Sequence, residues 1–568
     1  MADPRAPRDR TWLLLFAGVC FLYLYFIPYF RALNNPNENA RVYQIRAAVE
    51  LHKLSVNEQI ARFGMVNDLA RRGDLLYSGK APGTTFLGVP IYAALRAGDR
   101  ALGLPADPSP FRLLYALRLA GTLLPTLGFL YAFRRFLGRF VREAPAANAL
   151  TIALALGSML LPYALLFVNH SLTAAGAFGA VIAAHAAADA AADVDRRAAS
   201  SPARPALQAR LAPSAWMGLA GFLVAFSAAL DYALLPVGIL VLLYAASVVG
   251  WRPRLLAAAA AGGLGPSIAT AIYHDICWGS PFKTSVGFLA NPAFLANQSQ
   301  GLFGIVGMTR ESMFGILLSP SQGLLFFAPI SILALIAAIA ACIRSKYKRI
   351  GILSASVAIL MIVYVGSLIN WYGGWTVGPR YATAMVPFLI FSLGLAWQAS
   401  SPATRRFVVP IAAGLGVASI LFTTLTSVLF PHLPPDYKNP FFELILPLWR
   451  DAITPHSLGR ALLGLEGRAD QIPFLAVLGA LLLYIVWVGS GSFLRERDEM
   501  SRLTGAVSSI AAVALAALTL YFGSLPRTDP PRNAATVSAW IRKSVWEPRL
   551  DTPNTKDTPN TKAGPPRR

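Results

Sequence analysis

The chain has 568 residues, of which 55% are hydrophobic and only 14% are charged, and its mean hydropathy is +0.52. A soluble protein of this size cannot bury so much apolar surface, and the apolar residues fall in runs of about 20, the length that crosses a bilayer. The composition therefore excludes a soluble globular protein and predicts an all-α polytopic membrane protein. The net charge of +22 arises from basic loops that lie against anionic lipid headgroups. No basic-aromatic motif predicts a nucleic-acid partner.

Apolar runs follow one another along the whole chain. Thirteen spans are predicted, at residues 11–31, 112–133, 147–167, 171–190, 214–230, 232–249, 254–273, 321–342, 350–369, 381–398, 407–428, 473–491 and 504–524. The N-terminal stretch MADPRAPRDR is basic and is therefore expected in the cytoplasm. Alternation from there places Arg or Lys in every cytoplasmic loop, as the positive-inside rule requires. The long loops are then expected on the outer side.

The segments between the spans divide the chain into regions of very different polarity. These regions are the N-terminus and first span (1–31), a first external loop (32–111), spans two to seven (112–273), a second external loop (274–320), spans eight to eleven (321–428), a third external loop (429–472), the last two spans (473–524) and a tail (525–568). The tail carries the repeat DTPNTKDTPNTK, which cannot build a core and is predicted to be disordered. Polar residues are concentrated in the external loops, where a functional site is expected.

Three elements are predicted in the first external loop. ENARVYQIRAAVELHK places Val42, Ile45 and Val49 near one face, which predicts an amphipathic helix along the membrane surface. SVNEQIARFGMVNDLARRGD predicts a second short helix with a serine cap. TTFLGVPIYAALRAGDRALGL has too few apolar residues for a span and predicts a helix that dips into the outer interface.

Acidic residues of this loop are candidates for proton transfer. Glu38, in NNPNENARVY, lies shortly after the first span. A carboxylate fixed at the outer face can take a proton from an acceptor hydroxyl, although Glu38 can equally cap the amphipathic helix. Asp68 and Asp74, in NDLARRGD, are either ion-pair partners of Arg71 and Arg72 or residues that support a site.

The stretch GDLLYSGKAPG, residues 73–83, brings a lysine into a turn. A nucleotide-binding phosphate loop is excluded, because five residues separate Gly73 from Gly79 and Ala81 follows Lys80. At headgroup depth the Lys80 ammonium can neutralise a lipid phosphate, or it can simply extend to the headgroups. Tyr77 belongs to the same stretch and is expected to line a site.

Histidines mark two further external turns. His170, in FVNHSLT, could contact an acceptor, bind a metal together with Glu38, or form a hydrogen bond within the bundle. His274 and Asp275, in YHDICWGSPF, form a second candidate polar cluster without a recognised metal spacing.

An aromatic-glycine loop, NWYGGWTVGPRYATAMVPFL, precedes the tenth span. Its side chains Trp371, Tyr372 and Trp375 either stack on sugar faces or belong to an aromatic belt at the interface. Arg380 offers a planar fork that matches phosphate, or it anchors the span at the interface.

The order of these features resembles bacterial GT-C membrane glycosyltransferases of the type that transfers aminoarabinose to lipid A, and the related protein O-mannosyltransferases. The resemblance covers roughly residues 31–140, through ENAR, QIRAAVE, RRGDLLYSGKAPG and the interfacial helix, and extends to residues 370–389. In that family a Lys-Pro-Pro-type turn follows a Gly-Asp run. Here the turn is Lys80-Ala81-Pro82, so that the first proline is missing.

The resemblance implies a GT-C-type bundle and an inverting transfer of a sugar from a polyprenyl-phosphate donor, without a nucleotide. The acceptor would be a cell-envelope lipid, glycan or protein, and the site would face the outside of an inner membrane. It implies that Glu38 is the base, that Lys80 and Arg380 contact the donor phosphate, and that Arg41 lines the site. Many members have a second acidic residue where this chain has Asn169 and His170, which leaves the use of a divalent metal open.

Two other functions compete with the transferase. A lipid or polysaccharide flippase or transporter would show internal repeats and ionisable residues at mid-membrane. No repeat is found, and the one ionisable residue that could lie deep, Asp231, could also sit at a helix end. An O-antigen ligase-like enzyme would use a pyrophosphate-linked donor and would place its basic residues in a later external loop. The concentration of polar residues in the first loop favours the transferase.

Overall fold

The computed structural model describes residues 10–29, 35–105, 107–200, 207–343, 345–434 and 437–494, and the single residue 539. Helices account for most of these residues. The first eleven α-helices are α1 Arg10–Tyr25, α2 Pro36–Leu51, α3 Asn57–Phe63, α4 Gly83–Ala101, α5 Pro110–Arg118, α6 Leu124–Leu137, α7 Ala144–Leu156, α8 Leu160–Ala164, α9 His170–Ser200, α10 Leu207–Leu230 and α11 Leu235–Val248. Those that follow are α12 Pro253–Trp278, α13 Pro292–Gln298, α14 Arg310–Leu317, α15 Leu324–Phe327, α16 Ser331–Ile343, α17 Lys348–Gly366, α18 Val386–Ala399, α19 Pro402–Leu429, α20 Leu446–Arg450, α21 Leu458–Leu463 and α22 Gly467–Leu494.

Short irregular helices and two small sheets complete the described structure. The 3₁₀ segments are Tyr232–Leu234, Ser285–Phe288, Ser345–Tyr347 and Arg380–Met385, and the π-helical turns are Leu119–Leu123 and Phe441–Ile445. The strands are β1 Phe26–Ile27, β2 Leu69–Arg72, β3 Leu75–Ser78 and β4 His456–Ser457. Strand β1 pairs with β4 and β2 pairs with β3, both antiparallel.

The prediction of an all-α polytopic membrane protein is confirmed. Within the described residues, 8 helices are long and apolar enough to cross a membrane, and four shorter apolar helices accompany them. Each of the first twelve predicted spans overlaps one of these helices. The thirteenth span, 504–524, lies outside the described residues, as do MADPRAPRD and nearly all of the tail 525–568 with its repeat. The count of thirteen therefore stays a prediction.

The predicted cytoplasmic loops meet at one end of the bundle. Ion pairs join side chains from different loops and helix ends there, namely Arg139 with Asp189 (2.5 Å), Arg252 with Asp195 (2.7 Å) and Arg405 with Glu143 (2.7 Å). Exposed pairs of this kind add little stability. These ion pairs show that the loops lie close together. The alternating topology requires this, because it assigns all of these loops to the same side of the membrane. The loops that carry the predicted site residues lie at the opposite end.

The first helix of the first external loop is enclosed by protein. Helix α2 begins after Asn35, whose side-chain oxygen accepts a hydrogen bond from the Asn37 N–H at 3.2 Å. Its polar side chains Glu38, Arg41 and Gln44 are as buried as Ile45. The prediction of a surface amphipathic helix is therefore wrong. Helix α4 and the external helix ends pack around α2, and polar side chains become buried where they find partners there.

The second predicted helix is shorter than expected, and its last part is a strand. Helix α3 begins after Val56 without a side-chain cap and ends at Phe63, so the predicted serine cap is wrong. Residues 69–72 form strand β2, which returns as β3 through a turn in which Gly73 has φ +58°. A two-residue turn with glycine at a positive φ suits a hairpin. The buried Leu69 and Leu76 draw the hairpin into a small core of the loop.

The third predicted helix is present as α4, residues Gly83–Ala101. It starts immediately after the Lys80-Ala81-Pro82 turn. A Cβ atom on Gly83 would lie only 2.7 Å from the backbone nitrogen of Leu230, at the end of α10. This close approach holds the lysine turn beside Asp231, which follows Leu230.

Candidate active site

A cluster of charged side chains occupies the end of the bundle where the external loops meet. Arg41, on α2, is 2% exposed. Its guanidinium donates to Thr84 Oγ1 (3.0 Å), to the Asn37 carbonyl (2.7 Å) and to Asn169 Oδ1 (3.0 Å). Among the described residues no carboxylate lies within ion-pair distance of Arg41. Burial, together with the charge of Arg380, lowers the pKa of Arg41 to about 10.

Arg380 is the second arginine of the cluster and lies at the start of the helical segment that leads into α18. Its Nη2 donates to the hydroxyl of Tyr381 at 2.9 Å, and its guanidinium stacks 4.8 Å from the centre of that ring. Its Nε is enclosed and has no hydrogen-bond partner in the described structure. No ion pair of Arg380 with a described carboxylate is present either. A half-buried guanidinium in this state is ready to bind an anion.

Lys80 and Asp68 form an ion pair at the edge of the cluster. The Lys80 ammonium lies 2.9 Å from Asp68 Oδ2, and about a fifth of each side chain is exposed (22% and 18%). Burial opposes the charge of Asp68, but Lys80 and the two arginines favour it, so that the net effect lowers the pKa of Asp68. Asp68 therefore pairs with Lys80 and with neither Arg71 nor Arg72, and that sequence-based alternative is wrong. The hairpin β2–β3 brings the two residues together, since the Gly79 N–H donates to the Asp68 carbonyl at 2.8 Å.

Asp231 contributes a second carboxylate. It lies between α10 and the 3₁₀ turn that precedes α11. Its carboxylate accepts hydrogen bonds from Asn169 Nδ2 (2.9 Å) and from the Ala233 N–H (3.2 Å). His170 Nδ1 is 3.9 Å away. Burial raises the pKa of Asp231, and its bonds to Ala233 and Asn169 only partly oppose this. Of the two positions considered for Asp231, deep in the membrane or at a helix end, the structure shows the second, at the same end of the bundle as the loop residues.

The charges of the cluster do not balance. Arg41, Lys80 and Arg380 contribute three positive charges, and Asp68 and Asp231 contribute two negative charges when both are ionised. The difference is one positive charge, in a place where most of the side chains are shielded from water. An uncompensated buried charge is costly, so this arrangement favours binding of an anion.

Glu38 lies next to this cluster but is occupied by other partners. Arg118 donates to both carboxylate oxygens, from Nε to Oε1 (2.8 Å) and from Nη2 to Oε2 (2.6 Å). The Phe167 N–H donates to Oε1 (2.7 Å) and Asn35 Nδ2 to Oε2 (2.8 Å). The side chain is 1% exposed. Burial opposes ionisation, but Arg118 outweighs it, and the pKa of Glu38 is lowered. A carboxylate held in this way is a weak base and an effective anchor between helices.

The other residues predicted for the first loop and for the end of α12 are dispersed. Asp74 lies exposed in the hairpin turn. Tyr77 is buried against Trp278, with 5.3 Å between ring centres. His274 accepts or donates a hydrogen bond with the Tyr232 hydroxyl at 2.7 Å, whereas the next residue, Asp275, is exposed. His274 and Asp275 therefore do not form a common polar cluster, and that expectation is wrong.

The aromatic loop before Arg380 divides between core and surface. Trp371 packs against the bundle, where its ring leaves no room for a Cβ atom on Gly315 (2.0 Å). Tyr372 and Trp375 are exposed, by 40% and 36%. The backbone at Gly373 packs on Arg380, and a Cβ atom there would lie 3.1 Å from Arg380 Nε. This loop therefore shapes the wall behind the arginine and exposes two aromatic rings nearby.

The cluster does not offer the ligands of a divalent metal. Among the described residues no group of three His, Cys, Asp or Glu side chains is arranged to hold a metal ion. Glu38 is bound by Arg118, Asp68 by Lys80, and His170 has Asp231 as its nearest acidic neighbour. The donor set, in which cations outnumber carboxylates, fits an anion better than a metal cation.

Three members of this arrangement were missed by sequence reasoning. The sequence pattern considers Asp231 only as an argument about transporters, Asn169 only in the place of a missing acid, and Arg118 only as part of a span. Asn169 joins Arg41 to Asp231 through its two amide atoms. The only signal available was the presence of charged residues inside or beside apolar runs, which in membrane proteins marks functional sites.

Gly83→Ala is expected to reduce stability, because the new Cβ would meet the backbone of Ala229 and Leu230 at 2.7–2.8 Å. Overpacking against backbone costs about 1–3 kcal/mol. A lower midpoint of thermal unfolding in detergent would measure this effect. Gly98→Ala in the same helix has open space within 4 Å and is the matched control. It should leave the midpoint unchanged or raise it; an equal fall in both variants would contradict the packing explanation.

No protein-family model matches the chain, and neither does any curated protein sequence. Among solved structures, the chain is similar to the apo crystal structure of an oligosaccharyltransferase from Archaeoglobus fulgidus, with 11% identity and a TM-score of 0.41, over 88% of this chain and 60% of that chain. It is also similar to the oligosaccharyltransferase AglB from Archaeoglobus fulgidus in complex with an inhibitory peptide and a dolichol-phosphate, with 11% identity and a TM-score of 0.35, over 97% of this chain and 62% of that chain.

The chain thus spans about three fifths of the length of the structures it matches (60% and 62%). At these TM-scores the likeness does not decide what the chain does. The function proposed below rests on the residues of the cluster.

Proposed function

We propose that this protein is a membrane glycosyltransferase that moves a sugar from a polyprenyl-phosphate donor to an acceptor hydroxyl at the outer face of the membrane. The acceptor would be a lipid, glycan or protein of the cell envelope, and the membrane a bacterial inner membrane. The first external loop, residues 32–111, would supply most of the site, and the segment before α18 would complete it.

The observation that carries this proposal is a pair of shielded arginines that have no carboxylate partner among the residues that the structure describes. Arg41 is bound to neutral groups only, and Arg380 has an enclosed Nε without a partner in the described part of the chain. Lys80 adds a third cation at the end of a tight turn. Guanidinium groups bind phosphate through parallel hydrogen bonds, and an ammonium adds a point charge. A phosphate diester brings the single negative charge that the cluster lacks.

Such a site would promote sugar transfer chiefly by stabilising the leaving group. When the acceptor oxygen forms a bond with the anomeric carbon, the bond from that carbon to the phosphate oxygen breaks, and the phosphate gains a negative charge. Cations already aimed at this oxygen stabilise the charge without reorganisation. Attack from the side opposite to the phosphate would invert the anomeric configuration. The exposed rings of Tyr372 and Trp375 would offer apolar faces for a sugar.

The sequence resemblance assigns the base of this reaction to Glu38, and that assignment stays a prediction. The bonds of Glu38 to Arg118, Asn35 and the Phe167 N–H favour a different role for its carboxylate. In that role it would join α2 to α5 and to the turn after α8, and so keep Arg41 in place one helical turn further along α2.

The experiment that tests the function is a transfer assay with purified protein in liposomes. A panel of polyprenyl monophosphate sugars and the corresponding pyrophosphate-linked sugars is offered with lipid, glycan and peptide acceptors. Release of polyprenyl phosphate together with glycosylated acceptor is expected from monophosphate donors. Transfer from pyrophosphate donors alone would favour the ligase-like enzyme. Movement of labelled lipid between leaflets without transfer would favour the flippase.

Lys80→Ala is expected to weaken donor binding about tenfold, because one charge-assisted contact to the phosphate is worth about 1.5–3 kcal/mol, reduced here by the release of Asp68. Equilibrium binding of polyprenyl phosphate to protein in nanodiscs measures the effect. Lys53→Ala is the matched control, since Lys53 forms an exposed pair with Glu58 in the same loop. If both variants bind polyprenyl phosphate as tightly as the wild type, Lys80 does not contact the donor and only extends to the lipid headgroups.

A further inference from the structure

The cluster contains a carboxylate that the sequence did not assign to the chemistry. Three acidic side chains, Glu38, Asp68 and Asp231, lie in or beside it. Glu38 is bound twice by Arg118, and Asp68 is bound by Lys80. Asp231 has no lysine or arginine within 4 Å among the described residues. The nearest group that could carry a positive charge is His170, at 3.9 Å. The three carboxylates therefore differ in whether a cation already uses them.

We infer that Asp231 is the base that takes the proton from the acceptor hydroxyl. This inference deepens the proposed function and rests on it. The carboxylate keeps free acceptor capacity, because its two hydrogen bonds come from the Asn169 amide and the Ala233 N–H. About a fifth of the Asp231 side chain is exposed (20%), against 1% for Glu38. A base must reach the proton that it removes, and only an accessible lone pair can do so.

Asp231 lies beside the proposed phosphate site. Asn169 accepts from Arg41 through Oδ1 and donates to Asp231 through Nδ2, at 3.0 Å and 2.9 Å. One amide group thus separates a phosphate-binding cation from the carboxylate. The Gly83 contact with Leu230 fixes the Lys80 turn against the residue that precedes Asp231. The carboxylate and the cations proposed to bind the donor phosphate therefore lie side by side at one end of the bundle.

The proposed step balances without a further reactant. The acceptor O–H bond breaks and its proton passes to Asp231, while the acceptor oxygen forms a bond with the anomeric carbon. The bond between that carbon and the phosphate oxygen breaks, and its electron pair leaves with polyprenyl phosphate. Arg41, Arg380 and Lys80 stabilise the additional negative charge on the phosphate. Asp231 afterwards returns its proton to water.

The environment of Asp231 also suits a base. Burial raises its pKa from the ordinary value of an aspartate, so its carboxylate binds a proton more strongly than Glu38 or Asp68, whose pKa values are lowered. Several charged and titratable groups face it from the elements around it, namely Arg41 from α2, His170 from α9, Tyr364 from α17, Arg380 from the segment before α18, and Tyr232 from its own turn.

The inference is tested by comparing Asp231→Asn, Asp231→Glu and Glu38→Gln in the liposome transfer assay, with polyprenyl phosphate binding measured separately. Asp231→Asn is expected to lower kcat by on the order of 100-fold to 1000-fold, the range for loss of a general base, and to change donor affinity by less than about threefold. Asp231→Glu should restore part of the rate. The rate of the wild type should rise with pH as Asp231 loses its proton, and this rise should be absent from Asp231→Asn.

Glu58→Gln is the matched control, because Glu58 is an exposed carboxylate paired with Lys53 in the first loop. It should transfer like the wild type. Wild-type turnover by a folded Asp231→Asn protein would overturn the inference and leave the proposed function intact. Retained donor affinity with lost turnover in Glu38→Gln alone would return the role of base to Glu38. Absence of transfer from any lipid-phosphate sugar by the wild type would overturn the proposed function, and this inference with it.

Discussion

Arg380→Met is expected to lower sugar transfer by on the order of 100-fold while the protein stays as stable as the wild type or becomes more stable. The rate should fall because a donor aimed at the developing charge of a leaving group contributes about 2.7–4 kcal/mol to the transition state. Methionine occupies similar space but cannot donate a hydrogen bond to phosphate.

The expected stability follows from the partners of Arg380. Its guanidinium bonds to Tyr381 at 2.9 Å, its Nε is enclosed and unpartnered in the described structure, and no described carboxylate pairs with it. Removal of Arg380 therefore leaves no described carboxylate without its ion-pair partner, which is the costly outcome for a buried pair. The hydrogen bond that is lost is the one to the Tyr381 hydroxyl, a neutral group. A catalytic role and a structural role therefore predict opposite combinations of activity and stability, which makes this variant informative.

The measurements are the initial rate of transfer and the midpoint of thermal unfolding in the same detergent. Arg380→Lys keeps the charge without the planar fork and should show an intermediate rate. Arg450→Met is the matched control, since Arg450 is exposed and pairs with its neighbour Asp451 at 3.2 Å. A loss of stability in Arg380→Met that accounts for the lost activity would assign Arg380 to the structure and remove it from the phosphate site.

Arg118→Met is expected to lower the free energy of unfolding by about 3–5 kcal/mol, the cost of leaving one member of a buried ion pair without its partner. Arg118 and Glu38 are 80 residues apart in the chain and meet through two hydrogen bonds of 2.8 Å and 2.6 Å. Without the arginine, the Glu38 carboxylate stays buried and retains only the bonds from Asn35 and the Phe167 N–H.

The double variant Arg118→Met/Glu38→Gln completes a double-mutant cycle, which isolates the interaction energy between the two side chains. Because both charges are then absent, it should be more stable than Arg118→Met alone. Unfolding by heat in detergent, monitored by the loss of helical signal, gives the three differences of the cycle. Additive effects of the two changes would show that the side chains do not act as a pair.

The pH dependence of this pair has a defined sign. The pKa of Glu38 is lower in the folded protein than in the unfolded chain, where it is about 4.3. The stability due to ionised Glu38 is therefore fully present above about pH 4.3 and is lost as the pH falls through the folded-state pKa. Glu38→Gln should remove this acid-sensitive contribution.

Part of the candidate site could be recognised from the sequence alone. The Lys80 turn and Arg380 were identified by their position next to apolar runs and by the chemistry of phosphate binding, and the structure brings them to the same end of the bundle as Arg41. The hairpin β2–β3 was missed, because LARRGDLLYS has no helix-breaking residue until Gly73 and its polar and apolar residues suit either element. Contact of Leu69 and Leu76 with the loop core decides in favour of the strand.

The choice of partners among the charged residues could not be predicted. Asp68 lies three residues before an Arg-Arg pair but bonds to Lys80, and Glu38 bonds to an arginine inside a predicted span. Any of the cations at this end of the bundle is chemically acceptable to either carboxylate. The distances between them depend on how α2, α4, α5 and α10 pack, and local sequence patterns carry no information about that packing.

The apolar runs were enough to predict a multi-pass helical protein, the places of its first twelve apolar helices and the loops that share one side of the bundle. A run of about 20 apolar residues forms a helix in lipid, because a helix satisfies its backbone hydrogen bonds internally. The partners of the acidic groups became visible only in the folded chain. Glu38 and Asp68 pair with cations, whereas Asp231 accepts hydrogen bonds from neutral groups. It lies beside two arginines that have no carboxylate partner among the described residues. That difference arises because loops and helix ends that are far apart in the chain meet at one end of the bundle.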